Sequence, residues 1–129
     1  MDDPGSHTPY TVPPKPIADL IDAPATPSVS LSPDREWILI MDRPSHPPIA
    51  VVSRPELRIA GLRIDPRTSG PSRAEHLTGL TLKRIADGHV QPITGLPEEA
   101  RIGHPRWSPD SSHIAFAILG ENRIDLWVA

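Results

Sequence analysis

Arg106-Trp107-Ser108-Pro109-Asp110-Ser111-Ser112-His113-Ile114-Ala115-Phe116-Ala117-Ile118-Leu119 is the stretch that decides the fold. Proline presets φ for the second position of a turn and aspartate bonds its own backbone, so Pro109 and Asp110 predict a chain reversal between two strands. Residues 113–119 and Ile124–Val128 are β-rich runs separated by the polar Gly120-Glu121-Asn122, which predicts a hairpin. With Ile102–Trp107 in front of the turn, the stretch reads as three antiparallel strands.

Working outward, the same grammar occurs earlier in the chain. Ser32-Pro33-Asp34 matches Ser108-Pro109-Asp110, and Ile38 and Ile40 fall where Ile114 and Phe116 fall. Leu80-Thr81-Leu82-Lys83-Arg84-Ile85 alternates, Asp87-Gly88 is a tight-turn pair, and Val90-Gln91-Pro92-Ile93 returns. Strands at Ser28–Leu31, 36–41, 80–85 and 90–93 therefore form one four-stranded meander. The later three strands form a second meander with one strand fewer. A repeated strand–turn–strand unit is the mark of a propeller or other stacked β array.

The expected fold class is thus all-β: β-propeller-type antiparallel meanders, preceded by an extended arm and a short helix. The first blade spans about residues 28–94 with an insertion at 44–75, and an incomplete second blade spans about 102–129. Residues 1–27 make the proline-rich arm, in which Ile17, Leu20 and Ile21 predict a small docking helix at 17–22, stopped by Pro24. Pro13-Pro14-Lys15-Pro16 is better read as part of this arm than as a ligand for a polyproline-binding groove.

Inside the insertion, Ile49-Ala50-Val51-Val52 is a short apolar segment. Residues 57–64 alternate and are broken at Gly61, as by a bulge or bend. Arg54, Arg58, Arg63, Arg67 and Arg73 make this the basic part of the chain, tempered by Glu56 and Asp65. No aromatic residues interleave with them as single-strand binders require, so these arginines are expected on solvent faces of strands rather than on nucleic acid, with binding of an acidic group by one of them as the alternative.

Composition agrees with loops and strands. The 129 residues include 18 prolines, close to three times the usual ~5%, and interior prolines break helices. Thirteen Lys and Arg against sixteen Asp and Glu give a net charge of −3, which makes no electrostatic case for nucleic acid or an anionic membrane. The absence of cysteine excludes disulfides, thiol nucleophiles and thiolate metal ligands. Met1-Asp2-Asp3-Pro4-Gly5-Ser6 lacks the basic and apolar regions of a secretory signal, and no run is long enough to span a bilayer. The chain as given is expected in the cytoplasm.

Together these residues resemble the start of the β-propeller in the prolyl oligopeptidase family of serine peptidases, in its glutamyl endopeptidase-like branch. The resemblance runs from Pro13 to Ala129. It is carried by residues 13–24, Ser32-Pro33-Asp34, residues 54–66 and Trp107-Ser108-Pro109-Asp110. The block at 54–66 is the specific one, since the Trp-Ser-Pro-Asp turn occurs in many propellers. The turn usually continues with glycine, and here Arg35 and Ser111 stand in its place, which predicts altered or strained turns.

The resemblance implies a non-catalytic propeller that gates peptide substrates for a Ser-Asp-His triad in a separate α/β-hydrolase domain, its expected partner. That triad's Gly-x-Ser-x-Gly elbow does not occur between Met1 and Ala129, so no catalytic residue is assigned. The alternative is a stand-alone β-rich module for protein interaction. His7, His46, His76, His89, His104 and His113 have no metal-ligand spacing, and no metal or cofactor site is expected. Trp37, Trp107 and Trp127 are expected in the core, and Ser32-Pro33-Asp34 and Ser108-Pro109-Asp110 are expected as turns. The outer edge of Ile124–Val128 is expected to promote self-association.

Overall fold

The computed structural model describes residues 11–47 and 49–129, so His7 and the first ten residues of the arm lie outside the described residues. In chain order the elements are α1 (Lys15–Ile21), β1 (Ser28–Leu31), β2 (Trp37–Asp42), α2 (Ile49–Val52), β3 (Leu57–Ile59) and β4 (Leu62–Ile64). β5 (Gly79–Arg84), β6 (Val90–Pro92), β7 (Ile102–Trp107), β8 (Ile114–Leu119) and β9 (Ile124–Val128) follow. Three antiparallel sheets result, with orders β1-β2-β5-β6, β3-β4 and β7-β8-β9. The described residues are mostly β with two short helices, and they close no propeller.

Period-two alternation explains how the two larger sheets pack. Along β8, Ile114, Phe116 and Ile118 are buried while the residues between them are half-buried. These three join Leu39 of β2, Leu80 of β5 and Ile102 of β7 in one core, with Trp107 and Trp127 packed against it. Leu77 and Ile102 exchange both backbone hydrogen bonds, at 2.8 and 2.9 Å, and so tie the segment before β5 to β7.

The opposite faces are apolar as well. Register places Val29 against Ile40 and Leu31 against Ile38, with Val29 66% and Leu31 57% exposed. On the far side of the second sheet, Ala117 pairs with Leu126 and Ala115 with Val128, and Leu126 is 78% and Val128 61% exposed. Each sheet thus has one apolar face in the shared core and another turned away from it.

Several expectations are corrected. The helix forms, with Pro14 in extended geometry before its first turn and a Lys15–Asp19 ion pair at 2.8 Å. It does not dock: none of its residues is buried and Leu20 is 80% exposed. Instead residues 21–26 are tethered by polar contacts, Ser45 Oγ donating to the Ala23 carbonyl at 2.8 Å and Arg43 to that of Thr26 at 3.3 Å. At Gly61 the break is a bend rather than a bulge. Ala60 (φ 48°) and Gly61 (φ 85°) form a two-residue hairpin loop whose two positive φ values match the twist of β3 and β4. Ile49–Val52 is helical, an outcome four apolar residues cannot announce by periodicity. Trp37 is half-buried outside the core, with the Arg84 guanidinium 4.9 Å from its ring centroid.

Candidate functional site

The two Ser-Pro-Asp corners are built alike. Ser32 Oγ donates to Asp34 Oδ1 and accepts from the Trp37 amide at 2.9 Å. Ser108 Oγ donates to Asp110 Oδ1 at 2.6 Å and accepts from the His113 amide at 2.9 Å. Arg35 (φ 62°) and Ser111 (φ 63°) occupy the left-handed position that favours glycine. The corners also touch, since the Asp34 amide donates to Ser111 Oγ at 3.0 Å. The Ser108 and Ser112 hydroxyls and the Ser112 amide hold the Asp110 carboxyl at a pKa of about 2. Hydrogen bonds from Ser32 and from the Glu36 amide lower that of Asp34.

One corner assembles the residue types of a serine triad in the wrong order. Ser112 Oγ lies 2.8 Å from Asp110 Oδ1 and 2.6 Å from His113 Nδ1, so the hydroxyl sits between acid and imidazole. If it donates to Asp110, its base is a carboxylate of pKa about 2, far too weak to take a hydroxyl proton near neutral pH. If it donates to His113, no third group among its hydrogen-bond partners orients the imidazole. The cluster terminates a turn and makes no activated nucleophile.

In the insertion, the arginines are not simply displayed on a solvent face. Glu56, whose side chain is only 8% exposed, pairs with Arg63 at 2.9 Å, Arg58 at 3.1 Å and Arg73 at 3.3 Å. Ser72 Oγ donates to its other oxygen at 3.3 Å. Burial pushes the Glu56 pKa up, but the hydrogen bond from Arg58, the charges of Arg63 and Arg73 and the Ser72 hydroxyl outweigh it, and the net shift is downward. Arg67 turns to Asp65, its amide donating to Oδ1 at 2.9 Å.

Where the insertion meets the second sheet, a cavity of about 120 Å³ opens between Arg54, Asp65, Arg101 and His104 on its polar side and Val51, Leu119 and Ile124 on its apolar side. A Cβ at Gly70 would come within 2.6 Å of Ile124 Cδ1, so glycine lets the loop after β4 close over that end of the sheet. The Arg101 Nε is buried with no hydrogen-bond partner among the described residues. Burial first, and then the charge of Arg54, lower the pKa of the Arg101 guanidinium, while Asp65 opposes them. A second cleft, of about 240 Å³, lies between the sheets at Trp37, Trp107 and Gln91, and there Trp107 Nε1 is likewise buried and unpartnered.

The histidines stay apart. His46 approaches the Ile21 carbonyl at 3.4 Å, His76 is half-buried with its pKa lowered by burial and by Arg101, and His89, His104 and His113 are exposed. Among the described residues no group of three His, Asp or Glu is placed to hold a metal ion. Arg54, Glu56 and Arg101 are the residues whose roles sequence alone missed. Glu56 was visible as an acid among arginines, whereas Arg101 meets Arg54 only through the fold.

Comparison with known proteins gives two relatives. Over 131 residues and 95% of its length, the chain is 40% identical to a protein of Arabidopsis thaliana named probable glutamyl endopeptidase, chloroplastic. It is 35% identical over 130 residues, 93% of its length, to the protein of the same name from Oryza sativa subsp. japonica. The chain spans 14% of the length of each of these relatives. No family model matches the chain, and no solved structure matches it. The relatives' names place them in the chloroplast and lend no support to a cytoplasmic location. Among the described residues no helix is long and apolar enough to cross a membrane.

Proposed function

We propose that this chain is the N-terminal propeller portion of a glutamyl endopeptidase-like serine peptidase of the prolyl oligopeptidase family. It is non-catalytic itself and gates peptide access to an α/β-hydrolase domain that is its partner. The observation that carries this reading is the pair of apolar faces turned away from the shared core, Val29 and Leu31 on one side and Leu126 and Val128 on the other. A two-sheet sandwich wants polar outer faces, whereas a unit stacked between neighbours wants apolar surface on both sides. The identity with proteins named probable glutamyl endopeptidase, over 14% of their length, fits one segment of a longer peptidase.

Two measurements test it. Incubated alone with a glutamate-containing chromogenic peptide, the chain should show no turnover sensitive to serine-directed inhibitors; such turnover would overturn the non-catalytic part. Exchanged into the Arabidopsis thaliana relative in place of the segment it matches, the chain should give a folded hybrid whose turnover depends on peptide length as the relative's own does. A hybrid that folds but loses that dependence overturns gating by this segment, while one that cannot fold refutes the stacking. In isolation, the open side of β9 and the apolar faces should drive self-association. A stable monomer in sedimentation at tens of micromolar would count against those faces being docking surfaces.

A further inference from the structure

We infer that the cavity between the insertion and the second sheet binds one carboxylate, gripped between the guanidinium groups of Arg54 and Arg101. Both arginines line the cavity, and neither forms an ion pair among the described residues. Arg101 Nε is a buried donor with no acceptor among the described residues, an arrangement that costs free energy and leaves the charge of this guanidinium uncompensated beside the cavity. The other charged groups of the wall are already engaged. Arg73 is paired with Glu56, and Asp65 accepts from the Arg67 amide. Two guanidinium groups, Arg54 and Arg101, therefore share one cavity with a single carboxylate, Asp65, which Arg67 already shares, and the planar fork of a guanidinium matches a further carboxylate.

The walls also set the size of the ligand. A volume of about 120 Å³ is far above the ~10–15 Å³ that one water requires, yet it is too small for a peptide. Val51, Leu119 and Ile124 offer apolar surface opposite the arginines, which suits a short methylene stem behind the carboxylate. A free short-chain acid and an acidic side chain share that chemistry. The site is independent of the peptidase reading, since it rests only on this chain's own residues.

The test follows the Arg101 Nε–Hε resonance in nitrogen-edited NMR of the whole chain, with sodium chloride at equal ionic strength as the control. Titrant one is propionate; titrant two is a blocked dipeptide carrying one glutamate, with its glutamine counterpart alongside. Saturable movement with propionate assigns a free acid, and movement with the glutamate dipeptide alone assigns a side chain; either supports the site. Arg54→Gln should weaken binding about tenfold, the worth of one charge-assisted hydrogen bond. Arg101→Lys, followed instead at the Arg54 Nε–Hε resonance, keeps the charge and should lose the preference for carboxylate over chloride. The inference is overturned if chloride moves the resonance as far, if the glutamine dipeptide matches the glutamate one, or if Arg54→Gln binds unchanged.

Discussion

Leu39, Leu80, Ile114, Phe116 and Ile118 hold the two large sheets together by burying apolar surface. The hairpin β3–β4 instead leaves Leu57, Ile59 and Leu62 exposed and is tied down at Glu56 by three guanidinium groups. One region is thus organised by a non-directional force insensitive to pH, the other by a single charge. The difference teaches where each is vulnerable: the sheets to lost volume, the insertion to lost charge.

The largest effect should come from the apolar side. Phe116→Ala empties a fully buried position on β8 and is expected to cost about 3–5 kcal/mol, a large part of the ~5–15 kcal/mol a domain of this kind commands. Chemical denaturation should show the midpoint falling for both sheets together, because both contribute side chains to that core. If the first sheet kept its stability while the second melted, the shared core would be refuted.

A smaller, local effect should follow at Glu56. Glu56→Gln preserves size while removing the charge on which Arg58, Arg63 and Arg73 converge. Amide exchange should quicken in β3 and β4 but stay unchanged around Leu39 and Phe116. Acid should mimic the substitution. The Glu56 pKa in the fold lies below its ordinary value of 4.5, so its stabilisation is complete above that value and is lost as pH falls through the folded pKa. Loosening of the hairpin on raising the pH from 5 to 8 would reverse the assigned sign.

What the sequence disclosed follows the same division. Alternation and turn chemistry marked Ile102–Trp107 and Ile124–Val128 with the bounds they have, because side chains on a half-buried strand repeat every two residues and Pro109-Asp110 can only turn. The bulge inside β7 was missed, although Pro105 within a strand was its signal. The register there slips between Gly103 and Arg106, and His104 takes φ 51°. The insertion was legible as basic composition and as short apolar segments broken at Gly61, but not in its charge pairing. That Arg58, Arg63 and Arg73 face one carboxylate depends on a hairpin set by Ala60 and Gly61, and Arg54 meets Arg101 across two elements with no shared local pattern. Long-range charge pairing has no period to read. Trp37 shows the same limit, since Arg84 reaches its ring only because β2 and β5 are neighbours in this register.

The smallest effect discriminates between the two corners themselves, which share the Ser–Asp hydrogen bond and the amide hydrogen bonds to both side chains but differ at their left-handed residue. Arg35 is exposed and makes no hydrogen bond through its side chain, so Arg35→Gly removes a strain of about 1 kcal/mol, partly offset by the entropy that glycine adds to the unfolded chain. The expected outcome is a gain of some tenths of a kcal/mol. Ser111→Gly relieves the same strain but deletes the acceptor for the Asp34 amide, a bond worth about 0.5–1.5 kcal/mol, so the balance should fall at zero or below. The two substitutions therefore separate although φ differs by only one degree between the sites, 62° against 63°. Equal gains would mean that the bond between corners contributes nothing. Ser111→Ala, which deletes the acceptor and keeps the strain, should lose about 0.5–1.5 kcal/mol, and an unchanged stability there would remove the bond from the account.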